Sequence, residues 1–204
     1  MRRMIPLGTV VWAVWMAAAV ARAEDPKQEG KTAVATFAGG CFWCLEAPFD
    51  DVKGVKGTVS GYTGGPERNP TYEQVSAKKT GHCEALQVEF DPGTVTYAQL
   101  LDVYWRNIDP TVADHQFCDW GPQYRPEIFY HDDEQRRLAE ESRKTVEEKL
   151  GTVAVKITAA GEFWPAEDYH QDFYMANPDH YYQYRKGCGR DKRLEELWGK
   201  GAGH

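Results

Sequence analysis

Residues 32–52, TAVATFAGGCFWCLEAPFDDV, contain the clearest structural pattern of the chain. Residues 32–37 predict a β-strand, and Gly39-Gly40 ends it. The residues from Cys41 to about Val52 predict a helix, in which Pro48 is a candidate for a kink. The stretch therefore predicts a strand, a sharp turn and a helix whose first residue is a cysteine.

The patterns that follow this unit predict further strands and helices. Residues 110–126 predict a long loop, and the chain from residue 162 to the last helix predicts irregular structure. The order β-α-β, then β-α-β-α-β, predicts one α+β domain over residues 32–204, with a mixed sheet covered by helices. The predicted strands cover residues 55–62, 82–90, 127–130 and 153–158, and the predicted helices cover residues 96–108, 132–150 and 191–198.

The first 23 residues have the pattern of a signal peptide. Arg2 and Arg3 precede an apolar run over residues 5–20, and Ala21-Arg22-Ala23 supplies small residues at the positions that a signal peptidase inspects. We expect cleavage after this motif, a polar leader over residues 24–31, and export to the periplasm or the medium. The alternative is a retained N-terminal anchor, although the apolar run is marginal for a membrane span.

The charge of the chain bears on its partners. Removing residues 1–23 takes away three arginines, so 21 basic residues remain against 31 acidic ones, a net charge of −10. Binding to nucleic acid or to an anionic membrane depends on basic surface, which this chain lacks. We therefore expect no nucleic-acid partner and no stable membrane association after cleavage, and we expect a monomer.

Cysteines are the most informative residues of the chain. An odd number of cysteines in an exported protein leaves at least one thiol unpaired or active, and a domain of this size does not need disulfides to fold. Cys41 stands where a helix begins, and the partial positive charge of a helix N-terminus favours the reactive thiolate. Cys41 is therefore a candidate nucleophile. The five cysteines are Cys41, Cys44, Cys83, Cys118 and Cys188.

The spacing of Cys41 and Cys44 has more than one interpretation. The two sulfurs are one helical turn apart, so they can form a short disulfide. The pair could also be buried and inert, or could be the redox motif of a general thiol-disulfide oxidoreductase. A metal site is not predicted, because the sequence offers no second CxxC motif or histidine pair to complete a set of four ligands.

Several short motifs occur together and in one order, and with them the chain resembles the peptide methionine sulfoxide reductase A family. The resemblance covers about residues 32–198 and implies a two-layer α+β sandwich with a core like the ferredoxin plait. The implied activity is reduction of the S epimer of methionine sulfoxide, in proteins, in peptides and in free form. The motifs are GCFWC (40–44), SGY (60–62), NPTY (69–72), TGHCEA (80–85), DWGPQYR (119–125) and AEDYHQ (166–171).

The resemblance also implies the roles of individual residues. Cys41 would be the catalytic nucleophile, and Phe42 and Trp43 would line a pocket for the methyl group of the substrate. No bound cofactor is implied, and reducing equivalents would come from an external thioredoxin-like protein, or from dithiothreitol in vitro. The residues implied to surround the sulfoxide oxygen are Tyr72, Glu84, Asp119 and Tyr124.

Glu84 suits the chemistry of sulfoxide reduction. A sulfoxide sulfur accepts a nucleophile only if its oxygen gains a proton or strong hydrogen bonds. Glu84 is the one carboxylate on a strand face otherwise formed by Leu86, Val88 and Phe90. Burial would raise the pKa of this carboxyl, so that it could donate a proton near neutral pH. The alternative is a solvated glutamate at a strand end.

Attack by Cys41 would release methionine and leave a sulfenic acid, which a second thiol can convert to a disulfide. Cys44 is the first candidate for this resolving thiol, and Cys188 is the second and could relay a further exchange. Cys118 is expected to be near the site by chance.

Two residues depart from the family pattern. Trp120 stands where a basic residue is frequent, and Cys83 replaces another residue type, so an extra disulfide is possible. His82 and His170 are interpreted as structural or hydrogen-bonding residues. An alternative function outside enzymes is an exported module that binds methionine-containing peptides.

Overall fold

The computed structural model describes residues 32–203. The predicted signal peptide, residues 1–23, and the predicted leader, residues 24–31, lie outside the described residues. The strands are β1 (Ala33–Ala38), β2 (Val55–Thr63), β3 (Cys83–Phe90), β4 (His115–Gln116), β5 (Asp119–Trp120), β6 (Glu127–Tyr130), β7 (Lys156–Ala159) and β8 (Trp164–Pro165). The helices are α1 (Phe42–Asp50), α2 (Tyr72–Ser76), α3 (Tyr97–Arg106), α4 (Asp133–Leu150), α5 (Phe173–Ala176), α6 (Pro178–Gly187) and α7 (Arg190–Trp198).

The main sheet has the strand order β7-β6-β1-β3-β2-β8. Its neighbouring strands are antiparallel except β6 and β7, which are parallel. The central strands β6-β1-β3-β2, with α1 after β1 and α3 after β3, form the β-α-β-β-α-β plait. The predicted α+β sandwich with a mixed sheet is confirmed.

One face of the sheet carries the main hydrophobic core. Phe37 of β1 and Leu86 of β3 are fully buried there against Phe49 of α1 and Tyr104 of α3. Successive strand residues point to opposite faces, so Glu84 lies on the same face of β3 as Leu86. This register places a carboxyl group beneath the N-terminus of α1.

Local capping explains where the helices begin and end. Thr96 forms the predicted cap of α3: its hydroxyl accepts the Gln99 N–H, and the Gln99 side chain accepts the Thr96 N–H. The helix ends at Arg106, two residues before the predicted end. Asp132 caps α4, because its side chain accepts the Gln135 N–H.

Two predictions about connecting segments were wrong. The expected loop of residues 110–126 contains the β4–β5 hairpin and a 3-10 turn over Pro122–Tyr124. The expected irregular region contains β8, a 3-10 turn over Asp168–His170, and the helices α5 and α6. Phe173 and Tyr181 of these helices pack against Cys44 of α1, so long-range packing stabilises helices that have no clear apolar period.

Across residues 32–203 every helix is too short or too polar to cross a bilayer.

Candidate active site

The turn that presents Cys41 requires glycine. Gly40 has a φ of +85°, and a Cβ at this position would lie 2.6 Å from the Cβ of Gln116. A Cβ at Gly39 would lie 2.6 Å from the Cγ2 of Ile108. Cys41 then occupies the N-cap position of α1. The two glycines therefore let the chain turn directly from β1 into the helix, with the cysteine at the turn.

A pocket of about 100 Å³ opens at this turn. Its wall contains every residue to which the sequence assigned a role in catalysis or in methyl binding, and it contains one more, Tyr184. The lining residues are Cys41, Phe42, Trp43, Tyr72, Glu84, Asp119, Tyr124 and Tyr184.

Glu84 is buried at the base of the pocket. One of its carboxyl oxygens accepts the backbone N–H of Phe42 at 3.1 Å. Burial raises the pKa of this carboxyl from its ordinary value of 4.5 to about 8, and the charges of Asp119 and Cys44 add to the increase, while the Phe42 N–H opposes it. Glu84 therefore carries a proton at neutral pH, as the strand pattern predicted.

The expected thiolate at Cys41 does not follow from its surroundings. The side chain is 6% exposed, and this burial raises the pKa of the Cys41 thiol well above its ordinary value, with further increases from Cys44 and Glu84. The prediction was based on the helix N-terminus, which favours the thiolate, whereas burial favours the thiol. The interaction with the Cys41 thiol lowers the pKa of Cys44 to about 7, so the two thiols titrate as a coupled pair.

Asp119 connects two walls of the pocket. Both of its carboxyl oxygens accept the Tyr184 O–H at 2.6 Å, and the backbone N–H of Cys41 is near enough to lower the pKa of the carboxyl. Burial raises the pKa of Asp119, and these hydrogen bonds act against that increase. Asp119 thereby fixes the position of Cys41 relative to α6.

The Trp43 side chain is fixed by a hydrogen bond and by ring stacking. Its indole N–H donates to Nδ1 of His170 at 3.0 Å, and its ring stacks on Phe173 with centroids 3.7 Å apart. The His170 ring also packs on Tyr72, at 4.5 Å. Burial lowers the pKa of His170, so the ring is neutral and can accept this hydrogen bond.

The AEDYHQ motif anchors this side of the pocket. Glu167 accepts the backbone N–H of Tyr72 at 2.9 Å and the hydroxyl of Tyr62 at 2.8 Å. Gln171 pairs with both backbone groups of Ser60 at 2.9 Å. The motif therefore fixes Tyr72 relative to β2.

The cysteines fall into two groups. Cys118 and Cys188 form a disulfide, while Cys41, Cys44 and Cys83 are free and buried. Cys118, which was expected to be near the site by chance, is bonded to Cys188. The possible extra disulfide of Cys83 is not formed, and its thiol donates to the Thr63 carbonyl at 3.5 Å.

Comparisons with known proteins agree with this geometry. A sequence model of the family described as peptide methionine sulfoxide reductase matches residues 33–202. The chain belongs to the peptide methionine sulfoxide reductase family. The MsrA of Bacillus licheniformis is 51% identical over 173 residues, which cover 83% of this chain and 96% of the relative. The MsrA of Bacillus subtilis is 49% identical over 172 residues, covering 83% and 97%.

Solved structures of methionine sulfoxide reductases share the fold. Reduced Mxr1 from Saccharomyces cerevisiae has a TM-score of 0.70 at 30% identity, over 75% of this chain and 90% of its own. Methionine sulfoxide reductase A of Corynebacterium diphtheriae has a TM-score of 0.70 at 30% identity, over 75% and 78%. The predicted methionine sulfoxide reductase, a thiol-dependent oxidoreductase of type A, is confirmed.

The sequence did not indicate two residues that shape this reductase site. Tyr184 lies in a tyrosine-rich segment without a motif that distinguishes it. Arg190 is buried behind the glycine turn, where it donates to the carbonyls of Asn107 and Gly39 and covers the Phe117 ring at 4.2 Å. Neither position has a pattern in the sequence, because both residues act through contacts distant in the chain.

Proposed function

We propose that the enzyme reduces the S epimer of methionine sulfoxide, as a monomer, in oxidised proteins and peptides and in the free amino acid. The proposal rests on family membership and on one observation: a buried, protonated carboxyl group, Glu84, lies in the same small pocket as the Cys41 thiol. A nucleophile and an acid are thus present together, where water is largely excluded.

The first step reduces the substrate at Cys41. The Cys41 thiol loses its proton and its sulfur bonds to the sulfoxide sulfur, while Glu84 donates a proton to the sulfoxide oxygen; the S–O bond breaks and the oxygen leaves as water with these two protons. Water then attacks the Cys41 sulfur and breaks its bond to the substrate sulfur, so methionine leaves, a sulfenic acid remains on Cys41 and the released proton returns to Glu84. The substrate sulfur gains two electrons and the Cys41 sulfur loses two.

Aromatic residues would orient the substrate for this step. Tyr72 and Tyr124 line the pocket beside Glu84, and burial raises the pKa of Tyr72 to about 12. The pKa of Tyr124 is raised as well, again mainly by burial. Both hydroxyls therefore stay protonated and can donate to the sulfoxide oxygen. The Phe42 and Trp43 rings would receive the methyl group.

We assign the second step to Cys44. Its thiol attacks the Cys41 sulfenic acid, an S–S bond forms, and water leaves. Cys44 lies one helical turn from Cys41, and the two thiols are hydrogen bonded. Cys188, the second candidate, is already bonded to Cys118.

We propose that a thioredoxin-like dithiol then reduces the Cys41–Cys44 disulfide and is itself oxidised. Mxr1 of Saccharomyces cerevisiae, a protein of the same fold, has been solved in complex with Trx2. We propose that the enzyme binds no cofactor of its own and depends on this external reductant.

We further propose that residues 1–23 direct export and are removed. The basic start, the apolar run and the small residues before position 24 support this proposal. A disulfide that is partly exposed, Cys118–Cys188, is also typical of an oxidising compartment. N-terminal sequencing of secreted protein should begin at Glu24, and a start at Met1 would contradict cleavage.

The function is tested with separated epimers. Purified enzyme is incubated with each epimer of methionine sulfoxide and dithiothreitol, and released methionine is measured by chromatography. We expect turnover of the S epimer alone and none with C41S. Turnover of the R epimer, or activity of C41S, would contradict the proposal.

A further inference from the structure

The Cys118–Cys188 disulfide joins two segments that lie on one side of the pocket. Cys118 lies in the turn of the β4–β5 hairpin, and Cys188 directly follows α6. The two Cα atoms are 4.9 Å apart and the residues are 70 positions apart in the chain. The disulfide therefore fixes a long-range contact beside the active site.

A hydrogen bond runs beside the disulfide. Asp119, the next residue after Cys118, accepts the Tyr184 O–H at 2.6 Å, and Tyr184 lies one helical turn before Cys188. The Cys188 N–H donates to the Tyr184 carbonyl at 2.9 Å. The same two segments are therefore joined twice, and one of the two links is part of the pocket wall.

The hairpin has few other connections near this point. Strands β4 and β5 form a separate two-stranded sheet that is not hydrogen bonded to the main sheet. Gln116 anchors β4 through hydrogen bonds with the backbone of Asp109, at 2.7 and 2.8 Å. The α6 helix packs chiefly on α1, α5 and α7. The position of Asp119 relative to α6 therefore depends on the disulfide, on Tyr184 and on Arg190, which lies at the start of α7 and covers the Phe117 ring of the hairpin at 4.2 Å.

We propose that the Cys118–Cys188 disulfide is a positioning cross-link: it holds Asp119 and Tyr184 in place for substrate binding and stays closed throughout the catalytic cycle. This inference rests on the proposed function, since it concerns the same pocket. The disulfide touches no substrate and acts through Asp119, which lines the same pocket as Cys41.

The charge of Asp119 argues against the alternative, in which these cysteines carry electrons to Cys41. The Cys118 sulfur lies 3.8 Å from a carboxyl oxygen of Asp119. A thiolate on a reduced Cys118 would be repelled by this carboxylate, and the thiolate is the form that attacks disulfides. Asp119 also raises the pKa of Cys44, but Cys41, Arg190 and Arg185 lower it, so that the pKa of Cys44 is about 7.

The test compares C118S/C188S, Y184F and the combined variant with wild type. The matched control is C83S, which removes a buried thiol outside the pocket. Methionine release is measured in a single turnover without reductant, over a range of substrate concentrations, after the free thiols have been counted by mass spectrometry. Turnover with a thioredoxin-like donor is measured separately.

We expect C118S/C188S to raise the substrate concentration that gives the half-maximal single-turnover rate about tenfold. This is the effect expected when one hydrogen bond is lost. Y184F should have a similar effect, and the combined variant should be no worse than either, because both act through Asp119. Donor-supported kcat at saturating substrate should be unchanged, and C83S should behave as wild type.

Three results would overturn the proposal. They are a normal single turnover with a lower donor-supported kcat, a lower melting temperature with unchanged kinetics, and additive effects of Y184F and C118S/C188S. If C118S/C188S does not fold, wild type with the disulfide closed is compared with the same protein after the disulfide is opened, and the same tenfold increase is expected. Failure of the proposed function is distinguishable, since wild type itself would then release no methionine.

Discussion

Glu84 accepts the backbone N–H of Phe42 at 3.1 Å, so the acidic side chain of β3 is hydrogen bonded to the residue that directly follows Cys41. The contact orients one carboxyl oxygen toward α1 and leaves the other free for a proton. The strand therefore controls where a proton can be delivered relative to the Cys41 sulfur. Four predictions follow from the geometry of this pocket.

The first concerns the proton of Glu84. E84Q keeps an acceptor for the Phe42 N–H but has no acidic proton, so single-turnover methionine release should fall by more than about 10²-fold. Rapid quench and chromatography measure this rate. The matched control is E46Q, since Glu46 is also a buried carboxyl with a pKa raised by burial, to about 7, but lies outside the pocket. A near-normal rate for E84Q would exclude Glu84 as the acid.

The second concerns pH. The pKa of Glu84 is raised from 4.5 to about 8 in the folded protein, so the carboxyl is protonated below this pH and ionised above it. The single-turnover rate should therefore fall as pH rises through about 8, because Glu84 loses the proton that it donates to the substrate. A stopped-flow pH profile of wild type and E84Q tests this, and the same limb persisting in E84Q would assign it to another group.

The third concerns Trp43. H170F removes the acceptor for the indole N–H, which is 3.0 Å from Nδ1, so Trp43 should lose its fixed position. We expect KM for methionine sulfoxide to rise about tenfold, the effect of one hydrogen bond, with a smaller change in kcat. H170N restores an acceptor at a similar position and should recover part of the affinity. An equal loss in H170N and H170F would mean that ring packing alone holds Trp43.

The fourth concerns the turn before Cys41. G40A places a Cβ at a φ of +85° and 2.6 Å from Gln116, so we expect a loss of about 1–2 kcal/mol from the left-handed conformation alone. The alanine should also displace Cys41 and lower the reduction rate. Thermal unfolding and single turnover measure the two effects. G161A is the control, since no described atom lies within 4 Å of its Cβ, and equal losses in both variants would contradict this account.

The sequence predicted the parts of the site that depend on local pattern. The alternation of β3 placed Glu84 on the core face, and the glycine pair placed Cys41 at the start of a helix. The motifs identified the other polar groups, and the structure brings all of them to one pocket.

Features set by long-range contacts were not predictable. The pairing of Cys118 with Cys188 cannot be deduced from cysteine spacing, and Tyr184 gains its place only because α6 packs on α1. The increase in the Cys41 pKa caused by burial could not be predicted, because desolvation depends on the whole fold, whereas a helix N-terminus is visible in the sequence.

The small size of the pocket has a consequence for the proteins that this enzyme acts on. A space of about 100 Å³ admits the end of one side chain and no folded backbone around it. An oxidised methionine inside a packed protein must first leave its own core before it can enter. The repair rate of each such residue will then depend on how often its local structure opens. The enzyme is expected to act first on the least stable segments of damaged proteins, and its rate at a given methionine would report the opening equilibrium of the substrate.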